Sequence, residues 1–332
     1  MATAIGGNNP TIADWAKMLE PDGGITTDIV EIGKQTNEVL LDMTWQEANG
    51  VTHHRSSIRT GYPAPTWRQF YEGVAPAKST YATVDDAIGM MEARSVVDVK
   101  LANLGGEPEK FYMNEATGFI EGMNQDLASN IFYANQATSP TKFNGLAPRF
   151  NDNTTAASKE NIIDGGGSGS DNTSMWLVGW SPRSVFGIFP KGSKAGLQRE
   201  DCGIQHLQLD ASSNPYSAHV DKFTWDAGLC VRDWRYIVRI ANIDVSNLTG
   251  ESSAADLLKL MTKAVHKTPQ GTGARYAWYC NNTVLTMLDI QAQQKANVYL
   301  TIGQEEGQAK VSFRSIPLRR CDQLTITEAQ VT

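Results

Sequence analysis

The residues from Glu107 to Phe150, EPEKFYMNEATGFIEGMNQDLASNIFYANQATSPTKFNGLAPRF, constrain the fold of this chain more than any other stretch. Their first part predicts one long amphipathic helix. Pro108 suits a first helical position, where no N–H is needed, and Glu107 and Glu109 complement the positive end of the helix dipole. Ala116, Phe119, Ile120, Met123, Leu127, Ile131 and Ala134 recur at three- and four-residue steps and draw one apolar stripe. Asn114, Glu121, Gln125 and Ser129 fall on the other side. Asn135 can take the left-handed turn that ends a helix, and Pro140 forbids its return. At about 1.5 Å per residue, Pro108 to Asn135 makes a rod of roughly 40 Å, longer than a typical globular helix. Gly118 and Gly122 each weaken it by about 1 kcal/mol relative to Ala, a cost tolerated where something packs closely on them. Periodicity alone is equally satisfied by a core helix of an ordinary domain.

The segment that leaves the helix says more. Phe132-Tyr-Ala-Asn135, then Phe143-Asn-Gly-Leu-Ala-Pro-Arg-Phe150, resembles the major capsid proteins of tailed, podovirus-like double-stranded DNA bacteriophages. In that family a FxGLxxR-like turn leaves the long spine helix and enters the remainder of the shell domain. The resemblance extends in weaker form over most of the chain. Tyr276-Ala-Trp-Tyr-Cys-Asn-Asn-Thr-Val-Leu-Thr-Met-Leu288 is similar to a YAWxxNxxxLxxL segment of the axial domain. Phe313-Arg-Ser-Ile-Pro-Leu-Arg-Arg-Cys-Asp-Gln-Leu324 is similar to the GxPxxxxDxL strand that follows it, with Arg in place of the more usual flexible residues around Ser315. In most relatives this helix-plus-strand pair precedes the long return strands of the backbone domain. Here it comes after them, which implies a rearranged connectivity on the same architecture.

The resemblance thus implies an α+β, Hong Kong 97-like phage capsid fold with a long spine helix, a backbone (peripheral) domain sheet, an axial domain, an extended loop and an N-terminal arm. The implied division is an N-terminal arm (1–50), an extended-loop hairpin and its return (51–104), the spine helix (105–150), peripheral-domain strands with loop insertions (151–250), and an axial domain with a C-terminal strand (251–332).

Read residue by residue, the arm begins with a capping-box variant at Thr11-Ile-Ala-Asp14 that opens a short helix with Ile12, Trp15, Ala16 and Leu19 on one side. A second short helical stretch runs roughly from Asp28 to Thr36. Such small amphipathic pieces cannot make a core alone and need another surface to lie on, which fits an arm that packs along a neighbour. Val51 to Tyr62 reads as extended chain broken by Gly61-Tyr-Pro-Ala-Pro65. Trp67 to Tyr71 and Ser79 to Val84 come next, with Gly73 and Pro76 between, and the whole predicts a long hairpin with a wide, irregular tip. Asp85 to Leu104 returns to the helix as mixed strand and helix. The glycine-rich Gly165-Gly-Gly-Ser-Gly-Ser170 lacks the lysine of a phosphate-binding loop and reads as a flexible surface loop. Met175–Trp180 and Val185–Phe189 are short strands around a Ser181-Pro182 turn, and Phe223 to Ile243 holds a second strand system whose polar face is only half made. Ser253 is placed to cap a helix through Val265, and another helix spans Asn282 to Gln294.

Composition narrows the function classes. A chain of 332 residues with 41% hydrophobic and 20% charged residues is a folded protein. Its net charge of -7 argues against a nucleic-acid-binding module. It has no apolar run of about 20 residues and hence no membrane span. MATAIGGNNPTIADW lacks the pattern of a signal peptide, so the chain is expected to stay in the cytoplasm where it is made. Cys202, Cys230, Cys280 and Cys321 form no CxxC pair and are expected to be reduced and packed. None of His53, His54, His206, His219 and His266 sits in a metal-ligand pattern, and His53 and His54, neighbours in a strand, point to opposite faces. There is no GxSxG elbow. Asp85-Asp86 and Glu305-Glu306 read as solvated surface charges. No catalytic, cofactor or metal residue is therefore expected. The rival reading is a soluble enzyme, or a carbohydrate- or receptor-binding module using Trp176, Trp180 and Trp225, but their place in apolar strands favours burial.

The function expected from the resemblance is mechanical: self-association into hexamers and pentamers that close an icosahedral virion shell around double-stranded DNA, without sequence-specific binding. A decoration or cement protein and a portal are the implied partners, with assembly in the host cytoplasm. Relatives lock the lattice by lysine–asparagine links, interlaced loops or decoration proteins. Lys78 is the only lysine of the loop and no partner Asn is identifiable, which favours non-covalent locking. Trp15, Leu19, Trp67, Phe70 and Tyr71 are the expected assembly contacts, each large and apolar in a segment too short or too open to bury it.

Overall fold

In the computed structural model, the described residues are 9–17, 34–209, 214–251, 254–269, 273–294, 300–305 and 308–332. In chain order the first elements are α1 (Ile12–Lys17), α2 (Val39–Asp42), β1 (Trp45–Glu47), β2 (His53–Gly61), β3 (Thr80–Asp98), α3 (Val99–Ala102) and α4 (Pro108–Tyr133). Next come β4 (Ile162–Asp164), β5 (Asn172–Trp180), β6 (Val185–Phe189), β7 (Gln198–Leu209), β8 (Pro215–Val231) and β9 (Ile237–Asp244). The last are α5 (Val245–Thr249), α6 (Leu257–Lys267), β10 (Arg275–Cys280), α7 (Asn282–Gln294), β11 (Leu300–Glu305), β12 (Gln308–Phe313) and β13 (Ile316–Arg320). The chain divides into two compact units, one built from Met1–Gln35, Met90–Leu127 and Gly196–Asp226, the other from Thr36–Gly89, Ala128–Ala195 and Ala227–Thr332.

In the first unit, the long helix starts at Pro108 as the sequence predicts, and Lys110 pairs with Glu107 one turn back at 2.8 Å. On the expected stripe Ala116, Met123 and Leu127 are buried and Phe119 and Ile120 half-buried, and Phe111 and Tyr112, outside that stripe, are buried too. Phe111 and Tyr112 share a small core with Val97 and Ala102, and Trp15 packs against it. The hairpin β7–β8 is fastened to the helix by rings. Phe119 stacks on Phe223 at 5.7 Å and Tyr112 stacks on His219 at 4.1 Å. Trp225 of β8 is buried. Asp201 and Asp221 lie directly opposite each other across the two strands. Two like charges in that position repel. The Arg199 guanidinium answers it by forking onto Asp221 at 2.8 and 3.3 Å, and the His219 ring lies 3.1 Å from Asp201.

The helix gives the two glycines no close neighbour. Among the described residues, no atom lies within 4 Å of where a Cβ would stand on Gly118 or Gly122.

The second unit is built on β5, a strand buried along its whole length. A strand covered on both faces reads as a near-continuous apolar run, as Met175-Trp-Leu-Val-Gly-Trp180 does. It pairs antiparallel with β9 and with β10, and β10 pairs parallel with β13. Helices α6 and α7 cover one core, where Leu257, Met261, Val284 and Leu288 meet Met175, Leu177, Val238, Ile240 and Trp278. Asp256 caps α6 by accepting the Lys259 N–H, three residues beyond the Ser253 the sequence suggested, which lies outside the described residues. Helix α7 spans the predicted residues. Residues 36–48, expected to lie along a neighbour, pack inside this unit: Val39, Met43 and Ala48 are buried, and β1 runs parallel beside β6. Asp28 to Gly33 and Leu19 lie outside the described residues.

Trp176 and Trp180 are core residues, as their strand context predicted. Phe132 and Phe150 each lie 6.1 Å from Trp176, and Trp180 donates its indole N–H to the Tyr279 hydroxyl at 2.7 Å. The half-made polar face of β9 is explained by Arg239. Its guanidinium is buried, lies over Trp176 at 5.0 Å, and is held by Glu328 at 2.8 Å, the Ser174 hydroxyl at 3.0 Å and the Phe150 carbonyl at 2.8 Å. The glycine-rich segment is pinned rather than free: Gly165 and Gly167 donate to the Ala241 and Asn242 carbonyls at 2.8 Å. A Cβ on Gly167 would meet the Asn242 oxygen at 2.8 Å.

Leu127 is 3% exposed, so Leu127→Ala should cost about 2–5 kcal/mol in a denaturant titration of the full chain. A loss under about 1 kcal/mol would mean that the stripe is assigned to the wrong face.

Candidate assembly surfaces

The turn after α4 is built so that backbone meets backbone. The helix ends at Tyr133, and Asn135 closes it without the left-handed backbone the sequence allowed, accepting the Ser139 N–H on its carbonyl at 2.9 Å and the Ala137 N–H on its side chain at 2.9 Å. Gly145 and Leu146 return to the helix end, donating to the Ala134 and Ile131 carbonyls at 2.8 and 2.9 Å. A Cβ at Gly145 would meet three helix carbonyl oxygens at 2.7 to 2.9 Å, so only glycine fits. Four residues on, Arg149 reaches Asp86 at 2.7 Å and also donates to the Gly145, Asn144 and Leu229 carbonyls. This corrects the reading of Asp85-Asp86 as solvated charges. Asp85 is exposed, with Arg55 forked onto it at 2.7 Å, but Asp86 is 3% exposed and also accepts the Val231 N–H. Alternation in β3 carried the signal, since neighbours in a strand face opposite ways.

The root of the hairpin β2–β3 is ordered by pairing from His53↔Ala87 to Gly61↔Thr80. His54 sits edge-on to Phe186 at 5.5 Å, and its burial lowers its pKa. Arg59 lies over the rings of Tyr62 and Tyr81, 5.6 and 5.2 Å away. Beyond it the loop has no core. Trp67, Phe70 and Tyr71 are 99%, 94% and 108% exposed. Their turn is nonetheless defined: Glu72 accepts the Gln69 N–H at 3.1 Å, Arg68 donates to the Glu72 carbonyl at 3.3 Å, and Tyr71 holds a left-handed φ of 66°.

The expected assembly residues therefore separate. Trp67, Phe70 and Tyr71 stand together in solvent, Trp15 is half-buried against Phe111 and Tyr112 of its own unit, and Leu19 lies outside the described residues. Sequence reasoning missed a groove of about 420 Å³ beside α4. Met91, Ala93, Phe119 and Met123 give it apolar walls, Gly118 and Gly122 an open floor, and Glu115 and Asp126 carboxylates. The glycines were its only visible mark. Burial, with a smaller push from the Asp14 charge, raises the Glu115 pKa.

For chemistry the described residues offer little. Asp201, His219 and Asp221 could bring three ligand atoms together, but Asp221 already holds the Arg199 fork. The four cysteines are free thiols, and burial pushes Cys280 and Cys321 up to about 12 and Cys230 higher still. No helix among the described residues is long and apolar enough to cross a membrane.

The described residues thus combine a β-hairpin with a coreless tip, a long helix closed by a glycine–arginine turn, and a mixed sheet. The sequence model of major capsid protein GP7 matches residues 20–332, and the chain belongs to that family: it is a shell-forming major capsid protein of a phage virion. A chain in the cryo-electron-microscopy structure of bacteriophage epsilon15 is 35% identical, with a TM-score of 0.80 and full coverage of both chains. The bacteriophage JBD30 capsid is 10% identical, with a TM-score of 0.48 over 89% of this chain and 93% of that one. The capsid of a native GTA particle is 8% identical, with a TM-score of 0.48 over 71% and 99%. No curated protein sequence matches.

Two side chains put these contacts to the test. Arg149→Leu strands the buried Asp86 carboxylate and should cost about 3–5 kcal/mol in denaturant. Glu115→Gln should make the chain more stable near neutral pH. A carboxyl whose folded pKa is raised loses stability as pH rises through it, and the variant has no such loss. Its advantage in thermal unfolding should therefore fade towards about pH 4. An advantage constant with pH would mean that the charge of Glu115 is not what matters.

Proposed function

We propose that the chain acts mechanically, without catalysis, by associating into hexamers and pentamers that close an icosahedral shell around double-stranded DNA. The observation that carries this reading is the trio Trp67, Phe70 and Tyr71, fully exposed on a loop with no core of its own. Three clustered aromatic rings in water are costly for a lone protein and fit a surface that is covered on assembly. In this reading residues 51–104 are the extended loop and its return, 105–150 the spine helix, 151–250 the peripheral-domain strands and 251–332 the axial domain with the C-terminal strand, in a chain order rearranged from most relatives. Residues 1–50 are the arm, with Trp15 and Leu19 as further contacts. The lattice is locked without covalent links, since Lys78 is the only lysine between strands β2 and β3 and no partner Asn is identifiable. A decoration protein and a portal complete the particle, which is assembled in the host cytoplasm.

The loop offers a cleaner test than removal of the arm, because Trp15 also packs on its own chain. Trp67→Ala, Phe70→Ala and Tyr71→Ala combined should leave the free subunit's stability within about 0.5 kcal/mol for each exposed site. Electron microscopy and sedimentation should then show no stable closed particles. Particles of normal yield and heat resistance from this variant would overturn the clamp role of the loop.

A further inference from the structure

The turn that closes α4 holds a pocket of about 480 Å³ with a lining of its own kind. Four carboxamides line it, those of Asn135, Gln136, Asn144 and Asn151, together with Pro148 and Arg149. No carboxylate or ammonium group is among the lining residues. Two of the amides are held in place. The Asn135 side-chain oxygen accepts the Ala137 N–H and the Asn144 side-chain oxygen accepts the Gln136 N–H, each at 2.9 Å. Their NH2 groups, and the whole side-chain amides of Gln136 and Asn151, have no hydrogen-bond partner among the described residues. Arg149 uses Nε on the Gly145 carbonyl and Nη2 on Asp86 and the Asn144 and Leu229 carbonyls, which leaves Nη1 without a described partner.

We propose that this pocket binds one ring of a neutral saccharide. Charge decides against the main rival, a phosphate or another anion. The single cation of the lining is already balanced by Asp86, 2.7 Å away. Helix α4 ends at Tyr133, two residues before the first lining amide, so the negative end of its dipole also works against an anion. What remains is hydrogen bonding without net charge. A carboxamide donates through its NH2 and accepts through its oxygen, which matches the mixed donor and acceptor character of sugar hydroxyls. The unused donors of Asn135, Asn144 and Arg149 suit hydroxyl oxygens, while Gln136 and Asn151 can also accept from hydroxyl hydrogens. Pro148 adds an apolar patch for the C–H face of a ring. The volume falls in the range of small-molecule sites. Because two of the four amides are fixed before a ligand arrives, the ordering cost of binding is reduced.

The test is saturation-transfer NMR on the full-length chain. The probes are D-glucose, D-galactose, D-mannose and N-acetyl-D-glucosamine, with inorganic phosphate as the charged control. At least one sugar should bind with a Kd of about 1 mM, the affinity of a few hydrogen bonds in an open site. Gln136→Ala and Asn151→Ala combined should weaken that binding at least about tenfold. Both side chains are exposed, so the thermal unfolding of the chain should stay where it was. Asn151→Trp is an independent check, since it fills the pocket from the rim and should displace the sugar completely. No transfer to any of the four sugars would overturn the proposal. So would a sugar signal that both variants leave unchanged, because the sugar would then sit elsewhere. Phosphate that binds more tightly than every sugar would overturn it in favour of an anion site. Competition by dextran would mean that the ring is taken within a chain, and its absence that a free sugar is the ligand; either result upholds the saccharide site.

Discussion

A helix ends with carbonyl oxygens that have no helical partner, and in this chain the way they are satisfied at the end of α4 governs the connection to the loop. Gly145 and Leu146 turn back to give their N–H groups to Ala134 and Ile131, and the approach is so close that a single Cβ at Gly145 would strike three carbonyls. Arg149 is then delivered to the buried Asp86 at the base of the β2–β3 hairpin. One short turn thus ties the end of the helix to the root of the loop. Within the FNGLAPR segment Gly145 permits the close approach and Arg149 carries the charge to Asp86.

Buried charge is the recurring device in the larger unit. Arg239 joins β9 to Glu328 near the C-terminus, and Glu328 also accepts the Tyr133 hydroxyl at the end of α4. Asp42 gathers Arg319, Arg275 and the Tyr279 hydroxyl, joining α2 to β10 and β13. Pairs of this kind add little net stability compared with apolar residues of the same shape, yet breaking one partner is expensive. Their effect is to make wrong registers costly: a strand shifted by one residue would leave a charge alone in the core. For a subunit with so many strands to align, that selectivity matters more than the energy of any one pair.

How much of this was readable beforehand depends on the range of the interaction. The start of α4 at Pro108, the span of α7 and the coreless loop tip arise from local patterns of residues, and each stands where those patterns put it. The Arg239–Glu328 and Arg149–Asp86 pairs join positions far apart in the chain, and no local pattern announces them. Asp86 looked like surface because an adjacent acid, Asp85, is surface. The groove was hidden for another reason: Gly118 and Gly122 are read most easily as weaknesses of a helix, and only the fold reveals that they leave space.

A phage particle spends much of its existence outside any cell, in oxygenated water with no glutathione to repair it. Three of the four thiols in this subunit, Cys230, Cys280 and Cys321, are buried and held far from the thiolate form. Since only the thiolate reacts readily, these sulfurs are kept out of disulfide exchange and out of stepwise oxidation. The closing of the core around them shields these three sulfurs, and leaves Cys202, half-buried on β7, as the thiol that a dissolved oxidant can reach.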